Sequence, residues 1–151
     1  MPPEVVIRLA APGERELLED LQRSASLALD DYREALLENP DAIALPAEQI
    51  VAGQVHVAQS DRLILGFMVL VPTGSGGLEL DGLFIDPNSW RRGVGRALIA
   101  RAREIAGDEG VHAITVVASP TARNFYEACG FVLTGTAPTR FGPALAMRWA
   151  G

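Results

Sequence analysis

The spacing of apolar positions changes several times along the chain, and each change marks an element. "VVIRLA", residues 5 to 10, starts with β-branched residues and predicts a strand. "APGERELLEDLQRSASLAL" follows a Pro-Gly break and sets Leu17, Leu18, Leu21, Ala25 and Ala28 at near-helical spacing. "DYREALLENP" predicts a second, short helix with Asp30 or Asp31 as its cap and Pro40 beyond its end. "DAIALPAEQI" reads as loop with one helical turn. "GQVHVAQSDRLILGFMVLVPTGSGG" reads as two strands joined in a hairpin at Ser60-Asp61, ending in a flexible turn over 73–77.

The second half alternates more cleanly. "LELDGLFID" predicts a strand. "VGRALIARAREIAGDEG" predicts a helix with apolar positions at 94, 97, 98, 102 and 105, closed by the Gly107–Gly110 turn. "VHAITVVA" predicts a strand. "SPTARNFYEACG" predicts a helix capped by Ser119, with Pro120 in its first turn and Gly130 as its stop. "FVLTG" and "ALAMRW" predict two closing strands. The central strand-helix-strand unit needs a crossover, which makes residues 83–85 and 111–118 parallel neighbours. The expected fold is α+β: a single domain, residues 1–151, with a mixed, mostly antiparallel sheet, a central parallel strand pair and flanking helices.

Composition narrows the function classes. The longest apolar run, Leu63 to Pro72, is half of the ~20 residues a membrane helix needs. The N-terminus lacks the basic start and apolar stretch of a signal peptide, so the expected compartment is the cytoplasm. One cysteine, Cys129, excludes an internal disulfide. Cys129, His56 and His112 lack metal-ligand spacing, and no metal is expected. The net charge of -6 argues against nucleic-acid binding. All thirteen basic residues are arginine. Ten acidic residues lie between Glu14 and Glu48 against three arginines, whereas five arginines and no acid lie between Arg91 and Arg103.

That basic island surrounds a Gly-x-Gly turn, Gly93-Val94-Gly95, between a strand and a helix. A helix start leaves N–H groups unpaired and carries partial positive charge. Glycines let a ligand approach the backbone, and Arg91, Arg92 and Arg96 add bidentate donors. The combination is a socket for phosphate or diphosphate. With no lysine in the chain, a Walker-type phosphate loop is excluded. Leu98 stands where a dinucleotide fingerprint needs glycine or alanine.

The stretch resembles the acyl-CoA loop of the GCN5-related N-acetyltransferases (GNATs), (Gln/Arg)-x-x-Gly-x-(Gly/Ala) after an apolar-x-Pro. Here Ile85-x-Pro87 precedes Trp90-Arg91-Arg92-Gly93-Val94-Gly95, with Trp90 departing from the first position. A second motif agrees: Asn-x-x-Ala-x-x-x-Tyr-x-x-x-Gly-Phe in the family, Ser119-x-x-Ala122-x-x-x-Tyr126-x-x-x-Gly130-Phe131 here. The resemblance implies an N-acyltransferase that moves acetyl directly from acetyl-CoA to an amine on a small molecule or a protein. The rival is a non-catalytic CoA-binding sensor or partner module with the same fold. A phosphate-binding domain unrelated to CoA leaves the second motif unexplained. Dimers are common among look-alikes, and a homodimer stays open.

The resemblance further implies a pantetheine arm running along 83–85 like an added strand, bonded to backbone at Phe84 and Ile85. The thioester carbonyl would lie near an N–H around Leu83. The diphosphate would sit on the amides of Arg91, Arg92, Gly93, Val94, Gly95, Arg96 and Ala97, with Asn124 touching CoA near Tyr126. Tyr126 is the candidate general acid, because a phenol of pKa ~10 stays protonated at neutral pH. Glu79 and Asp81 are two apart on a strand and so share a face. As a like-charged pair, one of them should have a raised pKa, which suits a base. Glu79 is preferred to Asp81. The acceptor pocket is expected from Tyr32, Arg33 and Glu34 and from the "APTRFGP" loop around Arg140 and Phe141.

Overall fold

In the computed structural model, described for residues 5–28, 33–140 and 142–151, seven strands form one sheet in the order β1-β2-β3-β4-β5-β7-β6. The strands are β1 (Val6–Leu9), β2 (Val55–Ser60), β3 (Leu63–Pro72), β4 (Leu78–Ile85), β5 (Ala113–Ala118), β6 (Val132–Thr139) and β7 (Gly142–Ala150). The β4–β5 pair is parallel and the other pairs are antiparallel. The helices are α1 (Arg15–Leu27), α2 (Arg33–Glu38), α3 (Ala47–Val51), α4 (Val94–Asp108) and α5 (Arg123–Ala128). This is the expected α+β architecture, with the helical turn foreseen in residues 41–50 appearing as α3.

The sheet separates two apolar clusters. On one face α1 and α3 bring Leu18, Leu21 and Ile50 against Val55, Val57, Phe67 and Val69. On the other, α4 and α5 pack Leu98, Ile99, Ala102, Tyr126 and Cys129 against Met68, Leu70, Leu78, Leu80, Ile114 and Met147. Helix α4 buries Val94, Leu98, Ile99, Ala102 and Ala106, a stripe at helical period. Of these, the valine, leucine and isoleucine side chains each contribute about 1.5–3 kcal/mol on burial. The entry to α1 is held by Glu14, which takes two hydrogen bonds from the Arg8 guanidinium (2.9 and 2.7 Å) and one from the Ala11 amide (2.8 Å). Arg8 pulls the Glu14 carboxyl below its usual range.

Three local expectations change. The 119–130 helix begins as a 3-10 turn, Pro120–Ala122, before α5, and the Ser119 side chain makes no capping bond. The segment expected to loop between the closing strands is hairpin: Pro138 pairs with Pro143 and Thr139 with Gly142. The parallel pairing of β4 with β5 lies at 78–80, not at 83–85. The cap residues Asp30 and Asp31 fall outside the described residues. No described helix is long and apolar enough to cross a membrane.

His56, on β2, is partly buried, and desolvation together with the Arg101 charge lowers its pKa. The folded state therefore prefers neutral imidazole. Stability is unaffected by this group above the unfolded pKa of about 6.5, and it falls as pH drops from there through the lower folded value. Urea midpoints measured from about pH 8 to pH 5 should decline on the acid side, and His56→Gln should flatten that decline. An equal decline in both proteins would show that His56 is not its source.

Candidate active site

The site forms where two strands part. Strand β4 pairs with β5 through Leu78↔Ile114, Glu79↔Thr115 and Leu80↔Val116, and then the pairing stops. At that point β4 carries one extra residue against β3: Leu70 pairs with Leu80, and Val69 with Gly82. Asp81 is the bulged residue. A bulge bends its strand and increases local twist, so the second half of β4 swings away from β5. It also switches side-chain parity. Leu78 and Leu80 point to the α4 face before it, while Leu83 and Ile85 pack there after it. Phe84 turns to the α1 face against Phe67, with ring centroids 5.3 Å apart.

Backbone polarity follows the same alternation. The Asp86 amide donates to the Leu65 carbonyl on β3 (2.8 Å). Counting back along the strand, Phe84 and Gly82 aim their backbone groups at β3, and Leu83 and Ile85 aim theirs into the gap. This corrects the expected pantetheine contacts: the backbone groups facing the opening belong to Leu83 and Ile85, while those of Phe84 are spent on β3. The Ile85 carbonyl already accepts a bond from Trp90 Nε1 (2.9 Å). Trp90 thus pins the turn back onto the strand end.

That turn is tightly specified. Asp86 accepts from the Asn88 amide (3.0 Å), and a 3-10 turn spans Pro87–Ser89. Arg91 (φ 66°) and Gly93 (φ 80°) are left-handed, a region glycine enters without the steric cost other residues bear. Helix α4 starts at Val94 with no side-chain cap, and its first intrahelical bond runs from the Ala97 amide to the Gly93 carbonyl. The amides of Val94, Gly95 and Arg96 precede that bond and have no intrahelical acceptor. Gly95 has a different reason to be glycine. A Cβ there would stand 2.9 Å from Phe125 Cζ, so its absence lets α4 approach α5.

The gap opens into a cavity of about 730 Å³. Its walls include β4 from Leu80 to Ile85, β5 from Val116 to Ala118, the α4 start, and Phe125 and Tyr126 of α5. Gln22, Ala25, Leu36 and Ile43 close the α1 side. Tyr126 is buried, with edge contacts to Phe125 (5.2 Å) and Phe131 (5.4 Å). Burial pushes its phenol well above the usual pKa, with a smaller contribution from Cys129. The hydroxyl therefore stays protonated and able to donate.

A family model described as the acetyltransferase (GNAT) domain matches residues 52–133, just over half of the chain. The chain belongs to the GNAT family. Solved structures agree on the fold. The PaiA N-acetyltransferase of Thermoplasma acidophilum, in complex with coenzyme A, superposes at TM-score 0.82 with 19% identity, covering 98% of this chain and 99% of that one. A GCN5-related N-acetyltransferase from Rhodopseudomonas palustris gives 0.81 with 22% identity, covering 100% and 99%. The ribosomal-protein-S18-alanine N-acetyltransferase of Escherichia coli gives 0.72 with 16% identity, covering 97% and 94%. No match was found among curated protein sequences.

Set on this GNAT frame, the sequence-derived residues divide. Asp81, Leu83, Phe84, Ile85, Arg91, Gly93, Val94, Gly95, Arg96 and Tyr126 line one cavity. Glu79, Arg92, Ala97 and Asn124 are not among its lining residues. Asn124 is exposed for a simple reason: two positions before an inward-facing tyrosine it lies about 200° around the helix. Asp81 accepts from Gln49 Nε2 of α3 (3.2 Å), so it sits on the α1 face, as its alternation with Leu80 requires.

The acceptor-side expectations change more. Tyr32 and Phe141 lie outside the described residues. Arg33 donates to the Leu27 and Ala28 carbonyls at the end of α1, and Glu34 is exposed. Arg140 reaches Asn39 Oδ1 (3.2 Å) and Asp41 Oδ2 (3.7 Å), tying the β6–β7 turn to the segment after α2. The residues that do line this end, Gln22, Ala25, Ser26, Leu36, Ala42 and Ile43, were not singled out. The one signal was the polar i,i+4 pair Gln22 and Ser26 beside the apolar stripe of α1.

Gly95→Val should cost about 1–3 kcal/mol by overpacking against Phe125, read as a lower urea midpoint. Adding Phe125→Leu should recover part of the loss. Equal midpoints for Gly95→Val and wild type would mean the α4–α5 contact is looser than the structure has it.

Proposed function

We propose that the protein is an acyl-CoA-dependent N-acyltransferase that moves acetyl from acetyl-CoA to an amine by direct transfer. The observation that carries this reading is the continuity of the opened β4–β5 gap. One cavity is lined by the uncapped α4 start, the free edge of β4, Tyr126 and Asp81. Family membership supports acyl transfer in general, and relatives of the same fold have been crystallised with coenzyme A or acetyl-CoA.

In this reading the amides of Val94, Gly95 and Arg96 receive the diphosphate, and Arg91 and Arg96 neutralise it. Leu83 and Ile85 offer strand-edge groups to the pantetheine amides, and the Leu83 N–H stabilises the oxyanion that forms on the thioester carbonyl. The acceptor must lose a proton before attack. Of the two candidate carboxylates, Asp81 is the better placed because it lines the cavity, and it takes that proton directly or through water. The nitrogen forms a bond to the carbonyl carbon and the carbon–sulfur bond breaks. Tyr126 gives its proton to the departing sulfur, the nitrogen releases its second proton to water as the amide forms, and solvent then deprotonates the carboxyl and reprotonates the phenol. A purely CoA-binding module has no use for an acid and a carboxylate in the same cavity, which favours the enzyme over the sensor.

Coenzyme A should raise the melting temperature at millimolar concentration, and a flat response would remove the reading. Tyr126→Phe keeps the ring and loses the proton. It should lower kcat by about 10²–10⁴-fold with CoA affinity within about threefold. Unchanged turnover would take Tyr126 out of the acid role.

The pH profile is a separate check. Raising a phenol's pKa keeps the acid protonated, so kcat/KM should climb from about pH 6 as the fraction of neutral amine grows, with no falling limb before about pH 10. An alkaline decline centred near pH 8 would mean that another, more acidic group is the proton donor.

A further inference from the structure

The half of the cavity opposite the α4 start carries information about the acceptor. Its wall is built from the apolar Ala25 of α1, Leu36 of α2, Ile43 in the turn that follows and Phe84 of β4, with the neutral polar Gln22 and Ser26 of α1 among them. Ala25 and Ile43 are core residues, and Phe84 is braced by Phe67. Among the described lining residues one carboxylate is present, Asp81, and the two cations, Arg91 and Arg96, belong to the α4 side.

The described members of the acidic excess between residues 14 and 48 lie outside this wall. Glu14 is held by Arg8, Glu19 accepts from the Leu45 amide (2.9 Å), and Asp41 faces Arg140. Among its described members none lines the cavity. Among the described residues, a bound ammonium therefore meets one anion and then an uncharged, mainly apolar wall. Among the described residues on that side, a second ammonium would find no anion to offset its desolvation, and a substrate carboxylate would find no cation.

We infer that the acceptor is a small amine with a single positive charge and an apolar body, its nitrogen held at Asp81 and its body against Ala25, Leu36, Ile43 and Phe84. Diamines, polyamines, aminoglycosides and free amino acids are selected against. This rests on the acyltransferase reading and adds the substrate class to it.

The test is a thiol-release assay at saturating acetyl-CoA, with the CoA-induced melting shift measured on the same preparations. Isoamylamine and phenethylamine should exceed putrescine, kanamycin and glycine by at least about tenfold in kcat/KM. Asp81→Asn should raise KM for isoamylamine about tenfold or more while leaving the CoA shift in place. Leu36→Glu should narrow the isoamylamine-to-putrescine ratio about tenfold, because it gives the second ammonium a partner, again with the CoA shift retained. The inference is overturned if CoA binds but putrescine, kanamycin, glycine or a peptide N-terminus is the better acceptor. It is overturned equally if CoA binds and neither apolar amine is acetylated. Loss of the CoA shift in wild type would overturn the acyltransferase reading itself, and this inference with it.

Discussion

The site depends on one backbone event, the extra residue at Asp81. A regular β4 would continue pairing with β5 past Leu80, and the sheet would be closed from end to end. The bulge ends that pairing after three residues, turns the Leu83 and Ile85 backbone groups into open space, and places Phe84 on the α1 face. One inserted residue thus supplies a free strand edge and a continuous opening through the sheet. Unpaired strand groups are costly to bury and usually invite another strand. Here the neighbouring side chains leave room for an extended ligand arm instead.

What surrounds the opening is held rigidly by contacts of ordinary kinds. The strand end is tied to the following turn by Trp90 Nε1, and the turn reaches the helix through two left-handed residues. Helix α4 lies close to α5 because Gly95 has no side chain to keep Phe125 away. Tyr126 sits between Phe125 and Phe131 in edge-to-face contacts, each worth about 0.5–1.5 kcal/mol beyond its area. These contacts fix where the phenol points, and the same burial keeps it protonated. Position and proton state therefore share one cause.

The half of the site proposed to bind the diphosphate was legible in the sequence because it is local. Gly93, Gly95 and the arginines lie within a few residues of one another, and the spacing from Ala122 through Tyr126 to Phe131 survives as one helix and its stop. The register of β4 was not legible. A bulge is a relation between two strands, and "LELDGLFI" alternates no differently for having one, so a strand-edge role was expected of Phe84, whose backbone groups face β3. Asn124 shows a milder version: adjacency to Tyr126 in sequence placed it on the opposite side of α5. The acceptor end was least legible, since Ala25, Leu36, Ile43 and Phe84 come from four separate segments and each reads by itself as core. Gly95 was recognised as necessary, but its partner is a phenyl ring on α5, which no neighbouring residue announces.

The most direct measurement is a crystal structure with bound coenzyme A. The account predicts the diphosphate on the amides of residues 93–96 and the pantetheine arm in the β4–β5 gap, with its amides bonded to Leu83 and Ile85 and its sulfur beside the Tyr126 hydroxyl. A cofactor bound on another surface, or a sheet in which β5 continues pairing with residues 82–85, would contradict it.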